Sequence, residues 1–163
     1  MGLNLFVILR LGMNRMVIKR TNSDNPDFQI LASELEADLK IRDGEDYALY
    51  GQLNKISWLS QVIVVYEQNE VAGCGAFRHF DTSTQEIKRM FVRPAFRGQG
   101  VATRILKELE NWCFELGFRH CILETGKNQP EAIEFYKKNG YVKISNYGQY
   151  MDSEYSVCFK KAL

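Results

Sequence analysis

Hydrophobic positions along this chain follow two periods, and the change falls near Pro94. Before it, short apolar runs alternate with polar turns. Residues 16–20 (Met-Val-Ile-Lys-Arg) read as a first strand, and residues 22–26 as a turn. Residues 27–40 place Phe28, Ile30, Leu31, Leu35 and Leu39 at helical spacing, with Gly44 as the stop. A weaker helical stretch covers roughly residues 46–57. Residues 62–66 are continuously apolar and mostly β-branched, as expected of a strand covered on both faces. Residues 67–70 form a polar hairpin turn, 71–80 return as a strand, and 81–84 turn again into a strand over 86–92. Beyond Pro94, Val101, Ala102, Ile105, Leu106, Leu109, Trp112, Cys113 and Leu116 form one stripe at the 3.6-residue period. Lys107, Glu108, Glu110, Asn111 and Glu115 take the opposite face, and Gly117 ends the helix. A strand over 120–125, a helix over 130–139 opened by Pro130, and strands over 141–144 and 155–160 complete the chain. The predicted order is β-α-α-β-β-β-α-β-α-β-β: an α/β fold with a mixed sheet, about seven strands and four helices.

Composition narrows the function classes. With 163 residues, residues 16–163 make one domain with room for a real core. A net charge of +1 gives no bulk attraction to nucleic acid or a membrane surface. Cys74, Cys113, Cys121 and Cys158 lack metal-ligand spacing, and His79 and His120 are isolated, so no metal is expected. Free buried thiols in a reducing cytoplasm fit these cysteines. Residues 1–15 are set apart as an extension or the product of an upstream start. Their apolar run is broken by Arg10, lacks a cationic leader and is too short to span a bilayer. This apolar extension and the exposed final hairpin make a homodimer plausible.

The chemistry concentrates at Arg97-Gly98-Gln99-Gly100-Val101-Ala102, between the strand over 86–92 and the long amphipathic helix. Glycines at a strand-to-helix turn leave backbone N–H groups unobstructed and suited to phosphate. The first helical turn carries no Asp or Glu, and Arg93 and Arg97 add positive charge to an end that is already positive. An anionic, phosphorylated ligand would meet both. A P-loop is excluded, because Val101-Ala102 stand where Lys and Ser/Thr are required. A dinucleotide fingerprint fits poorly: Thr103 replaces a small residue, and although Glu124 falls near the required acidic distance, the preceding strand does not open a βαβ series.

The pattern Arg/Gln-x-x-Gly-x-Gly/Ala after a strand is matched in full, within the longer run Val92 to Thr103. The later segment Asn128-Gln129-Pro130-Glu131-Ala132-Ile133-Glu134-Phe135-Tyr136-Lys137-Lys138-Asn139-Gly140-Tyr141 follows at the right distance. On these two signatures the chain resembles the GCN5-related N-acetyltransferase (GNAT) superfamily. The resemblance implies that the pyrophosphate of acetyl-coenzyme A sits on Arg97, Gly98, Gln99, Gly100, Val101 and Ala102, with Thr103. It implies that the strand at Met90, Phe91 and Val92 pairs with the pantetheine amides beside a bulge. Asn128 matches a pantetheine-contacting position and is equally suited to be a helix N-cap.

The implied reaction is direct attack of a primary amine on the thioester in a ternary complex, without an acyl-enzyme. An amine of pKa near about 10.4 must first lose a proton. Glu86 is the residue expected to accept it, directly or through water, against a simpler role as a strand-end glutamate. Tyr136 matches the family tyrosine that stabilises the departing thiolate, and its helical spacing equally allows a core aromatic. A backbone N–H near Phe91 would meet the oxyanion. Tyr47, Tyr50, Trp58, Tyr147 and Tyr150, with Arg78, Glu86, Asp152 and Glu154, are the expected surroundings of a small amine acceptor. A protein or peptide acetyltransferase and a non-catalytic acyl-coenzyme A sensor are the alternatives.

Overall fold

Val62, Ile63, Val64 and Val65 are fully buried, and they divide between the two faces of a seven-stranded sheet. Ile63 and Val65 join one core cluster, Val62 and Val64 the other. A β-branched run with both faces covered is what the sequence pattern required. The computed structural model describes residues 16–44 and 59–163. The strands are β1 (Val17–Thr21), β2 (Gln61–Glu67), β3 (Glu70–His79), β4 (Thr84–Val92), β5 (His120–Gly126), β6 (Val142–Ile144) and β7 (Ser156–Ala162). The helices are α1 (Pro26–Asp43), α2 (Val101–Glu115) and α3 (Pro130–Lys138). The expected helix over 46–57 and the extension over 1–15 lie outside the described residues, so three of the four predicted helices are described here.

The strand order is β1-β2-β3-β4-β5-β7-β6. Among the described strands, only β4 and β5 run parallel; every other pair is antiparallel. The β2–β3 hairpin turns on Gln68 and Asn69, both at positive φ, the geometry that matches strand twist in a two-residue loop. Helix α2 supplies Val101, Ile105, Leu106, Leu109 and Cys113 to one cluster, which Tyr136 of α3 also joins. Helix α1 supplies Phe28, Leu31 and Ala32 to the cluster on the opposite face. Its start is fixed by Asn25, whose side chain accepts from the Phe28 N–H at 3.1 Å, with Pro26 at the first position. Such a cap contributes about 1 kcal/mol.

Three side chains depart from the predicted pattern. Ile30 is 51% exposed rather than in the core, because α1 packs along Phe28, Leu31 and Ala32. Leu116 is half exposed at the C-cap of α2. Glu110, assigned to the solvated face, is buried and accepts from Lys161 Nζ of β7 at 2.8 Å. All four cysteines are free and buried. Among the described residues, no helix is long and apolar enough to cross a membrane, and no group of His, Cys, Asp and Glu is arranged to hold a metal.

Candidate active site

Strand β4 contains one residue more than its partner requires. Cys74 of β3 stands opposite Phe91, and Ala76 opposite Lys88, so the ladder slips by one at Arg89 and Met90. Arg89 takes φ 59, rare for a non-glycine residue. Two contacts hold it there: its guanidinium pairs with Glu36 of α1, and its carbonyl accepts from the Cys74 thiol at 3.4 Å. A bulge flips side-chain parity. Ile87 belongs to the α2-side cluster, and past the bulge Met90 and Val92 pack on that side while Phe91 joins the α1-side cluster. The bulge is thus centred two residues before Phe91, which is itself back in register.

The parallel pairing of β4 and β5 spans only Thr84↔His120, Gln85↔Cys121 and Glu86↔Ile122. Beyond those pairs lies a cleft open to solvent, lined by residues 87–90 of β4, the end of β5 with the following loop, and residues of α1 and α3. Lys88 and Glu124 each stand two residues past the last pair, one on each strand. The twofold strand period puts both on the α1 face. Ala76, directly across from Lys88, packs in the α1-side cluster, while Cys121 and Leu123 of β5 face the other side.

Tyr136 is buried and lines this cleft, and its hydroxyl makes no hydrogen bond among the described residues. Its ring packs on Phe135, Tyr141 and Phe159, so it is a core aromatic that also borders the cleft. Burial, and secondarily the charge of Glu124, pushes its hydroxyl pKa up. The phenol therefore stays a proton donor throughout the neutral range. Asn128 also lines the cleft. The N-cap position of α3 belongs to Gln129, with no side-chain cap bond, so the capping alternative for Asn128 falls away.

Glu86 is only 1% exposed and does not line the cleft. Its carboxylate accepts from Arg78 Nε at 2.5 Å and Tyr147 Oη at 3.0 Å, with Lys88 Nζ 3.7 Å away. Glu124, which sequence reasoning assigned no catalytic part, does line the cleft. Burial raises its carboxyl pKa, and the Ser156 hydroxyl at 2.6 Å and the Lys88 charge restrain that rise. Of the expected acceptor-site residues, Tyr150 lines the cleft and Tyr147 donates to Glu86, while Asp152 and Glu154 are exposed. Tyr47, Tyr50 and Trp58 lie outside the described residues.

The glycine turn lies where β4 hands over to α2. Gly98 (φ 74) and Gly100 (φ 81) both adopt left-handed conformations, and a Cβ built on either meets nothing within 4 Å. Gly100 occupies the N-cap of α2 without a side-chain cap bond, and the first turn holds no acidic residue. The amides there are therefore open to an anion, the chemistry a diphosphate requires. Arg97 points back, donating to the Val92 carbonyl at 2.9 Å with its guanidinium 5.9 Å from the Phe91 ring centre, and Gln99 caps the Ala95 carbonyl. Val101 is buried in the core, Ala102 packs beside it, and Thr103 borders a shallow groove with Gly100 and Arg104, so what this segment leaves open to an anion is mainly its backbone. Arg93 does not contribute free positive charge: Glu34 takes its guanidinium in two bonds of 2.9 and 2.7 Å, and the Val71 carbonyl accepts a third. The anion that Arg93 called for is intramolecular.

A mixed sheet opened between its two parallel strands, with a glycine turn at the end of one, has the architecture of the acyl-CoA N-acyltransferases. A Klebsiella pneumoniae structure described as an acyl-CoA N-acyltransferase superposes with a TM-score of 0.77 at 25% identity, covering 91% of this chain and 97% of that one. The PaiA N-acetyltransferase of Thermoplasma acidophilum, solved with coenzyme A, matches in fold with a TM-score of 0.67 at 15% identity, over 91% of this chain and 99% of that one. The chain belongs to the Acetyltransferase (GNAT) family, whose model matches residues 25–141. Among curated relatives, an IAA acetyltransferase of Azospirillum brasilense is 34% identical over 103 residues, 62% of this chain and 67% of that protein. The chain spans between 39% and 67% of the lengths of the first curated relatives it matches.

Proposed function

We propose that this protein transfers the acetyl group of acetyl-coenzyme A to the primary amine of a small molecule, by direct attack in a ternary complex. The observation that carries the reading is the loss of β4–β5 pairing after Glu86↔Ile122, which opens a cleft at Tyr136 on the strand that leads to the glycine turn. Bound acetyl-coenzyme A supplies the activated acyl carbon. The amides at Gly98 to Thr103 hold its diphosphate, and the backbone of Met90 to Val92, with Asn128, flanks its pantetheine arm. The bulge at Arg89 presents β4 amides toward the reacting carbonyl, slightly earlier in the strand than Phe91. Tyr136 donates its phenolic proton in a hydrogen bond to the departing sulfur; burial holds the phenol above its ordinary range, and facing a thiol near about 8.5 that favours a hydrogen bond over complete transfer. Glu124 accepts the proton of the attacking amine. Two features favour it over Glu86: it lines the cleft, and burial brings its pKa closer to that of the proton it must take. Glu86, saturated by Arg78 and Tyr147, then positions Lys88 and Tyr147 around the acceptor.

The test is thiol release with acetyl-coenzyme A and a panel of amines and peptides, with calorimetry for cofactor binding. Acetyl-coenzyme A uptake with turnover of a small amine is the expected result. Uptake with no turnover of any acceptor would favour an acyl-coenzyme A sensor, and no uptake by folded protein would overturn the reading.

A further inference from the structure

The mouth of the cleft is charged with opposite sign on its two walls. Lys88 and Glu124 occupy equivalent places on β4 and β5, two residues past the last pair and on the same face. They sense each other electrostatically, since the Lys88 charge favours the ionised form of Glu124. The acidic wall is reinforced by Asp43 of α1, whose Oδ1 lies 3.9 Å from where a Cβ on Gly126 would stand. The basic wall carries an excess. Glu86 offers one negative charge to two cations, and Arg78 at 2.5 Å holds it more closely than Lys88 at 3.7 Å. Lys88 is 11% exposed, lines the cleft and spends one donor on the Tyr150 hydroxyl at 2.8 Å. An ammonium has three donors, and a buried one lacking a full anionic partner is costly.

Resting on the acyl-transfer reading, we propose that the acceptor is a small amine that also bears a carboxylate, of the α-amino acid class, with its carboxylate on Lys88 and its amine on the Glu124 wall. The Tyr150 hydroxyl receives from Lys88, donates to nothing among the described residues, and can donate in turn to the same carboxylate. This arrangement disfavours a peptide N-terminus, which has an amide where the carboxylate would be. It also disfavours a simple alkylamine, which leaves Lys88 with only its share of the Glu86 carboxylate that Arg78 holds more closely.

The test uses the full chain with acetyl-coenzyme A and acceptors in matched triplets: each amino acid, its carboxamide and its decarboxylated amine. Thiol release gives kcat and KM, and calorimetry gives acetyl-coenzyme A affinity. The acid member should exceed both others in kcat/KM by about 10- to 100-fold, chiefly through KM, as expected for a charge-assisted hydrogen bond at a desolvated site. Lys88→Met should erase that preference, and Lys88→Arg should retain it. Should Lys88→Met fail to fold, the wild-type ratio across the triplets still decides. Equal use of the amide or amine, turnover of peptides alone, or a preference that survives in Lys88→Met would overturn the proposal while leaving acyl transfer intact. Failure to bind acetyl-coenzyme A would overturn both.

Discussion

Gly100→Ala separates the cost of a strained backbone from the cost of a blocked ligand. Gly100 has φ 81, and a Cβ there meets nothing within 4 Å, so the substitution creates no clash in the folded protein. The left-handed conformation costs an L-residue about 1–2 kcal/mol, partly offset by about 0.4–1 kcal/mol from the stiffer unfolded chain. The net loss of about 1 kcal/mol should lower Tm by roughly 2–4 °C for a domain of this size. Gly117, at φ 94 beyond the other end of α2 and equally uncrowded, supplies the control, because Gly117→Ala should lose the same stability. Binding should divide the two. If the proposed diphosphate site is right, a methyl at Gly100 stands in its approach to the amides, and one displaced hydrogen bond to a charged group is worth about 1.5–3 kcal/mol, a Kd increase of roughly 10- to 100-fold. Calorimetric titration of acetyl-coenzyme A into both variants, beside thermal melts, reads both quantities. If Gly100→Ala and Gly117→Ala bind acetyl-coenzyme A alike, the turn does not hold the diphosphate and the reasoning fails.

The catalytic assignments make further demands. Tyr136→Phe should lower kcat by roughly 10- to 100-fold, the value of one hydrogen bond to a developing anion, with acetyl-coenzyme A affinity changed less than about twofold; an unchanged kcat would remove Tyr136 from the chemistry. Glu124 must be ionised to accept a proton, and burial raises its pKa, so kcat/KM should fall as pH drops through a value above the ordinary carboxylate figure of about 4.3. That acidic limb should vanish in Glu124→Gln and persist in Glu86→Gln; the reverse would return the role to Glu86. Gly73→Ala should cost more Tm than Gly117→Ala, because its Cβ would stand 2.6 Å from the backbone oxygen of Phe91, and overpacking of this kind costs about 1–3 kcal/mol. Equal melting shifts would show that β4 gives way there.

Elements and their order were legible because hydrophobic periodicity is local, and the glycine turn was legible because its function is written in residue types. The rest depends on distant partners. Arg93 sits beside an unneutralised helix end in sequence, and only folding brings Glu34 of α1 onto it. The successive apolar residues Met90, Phe91 and Val92 permitted a bulge, but they are apolar because helices cover both faces of the sheet. The bulge falls at Arg89, a residue type that does not announce a positive φ. Glu124 was visible only as an acidic residue at an approximate distance from the glycines. Its place in the cleft follows from where β4 and β5 cease to pair, which neither strand's own sequence records.

These features converge on α1. Glu36 holds the guanidinium of Arg89 and with it the bulge, while Leu35, Leu39 and Asp43 of the same helix line the cleft that opens beside it. Parity shows why one inserted residue matters. Without it, Met90 would follow Lys88 on the α1 face and bring an apolar side chain to the cationic wall. With it, Met90 packs toward α2, Phe91 toward α1, and Lys88 is the last α1-facing side chain before the slip. The bulge thus ends the regular ladder just past Lys88, before the stretch of β4 that the proposed reading gives to the cofactor. The strain of a non-glycine residue at φ 59 is held in place by a part-buried ion pair to Glu36 and by the Cys74 thiol, which tie the bulge to α1 and to β3.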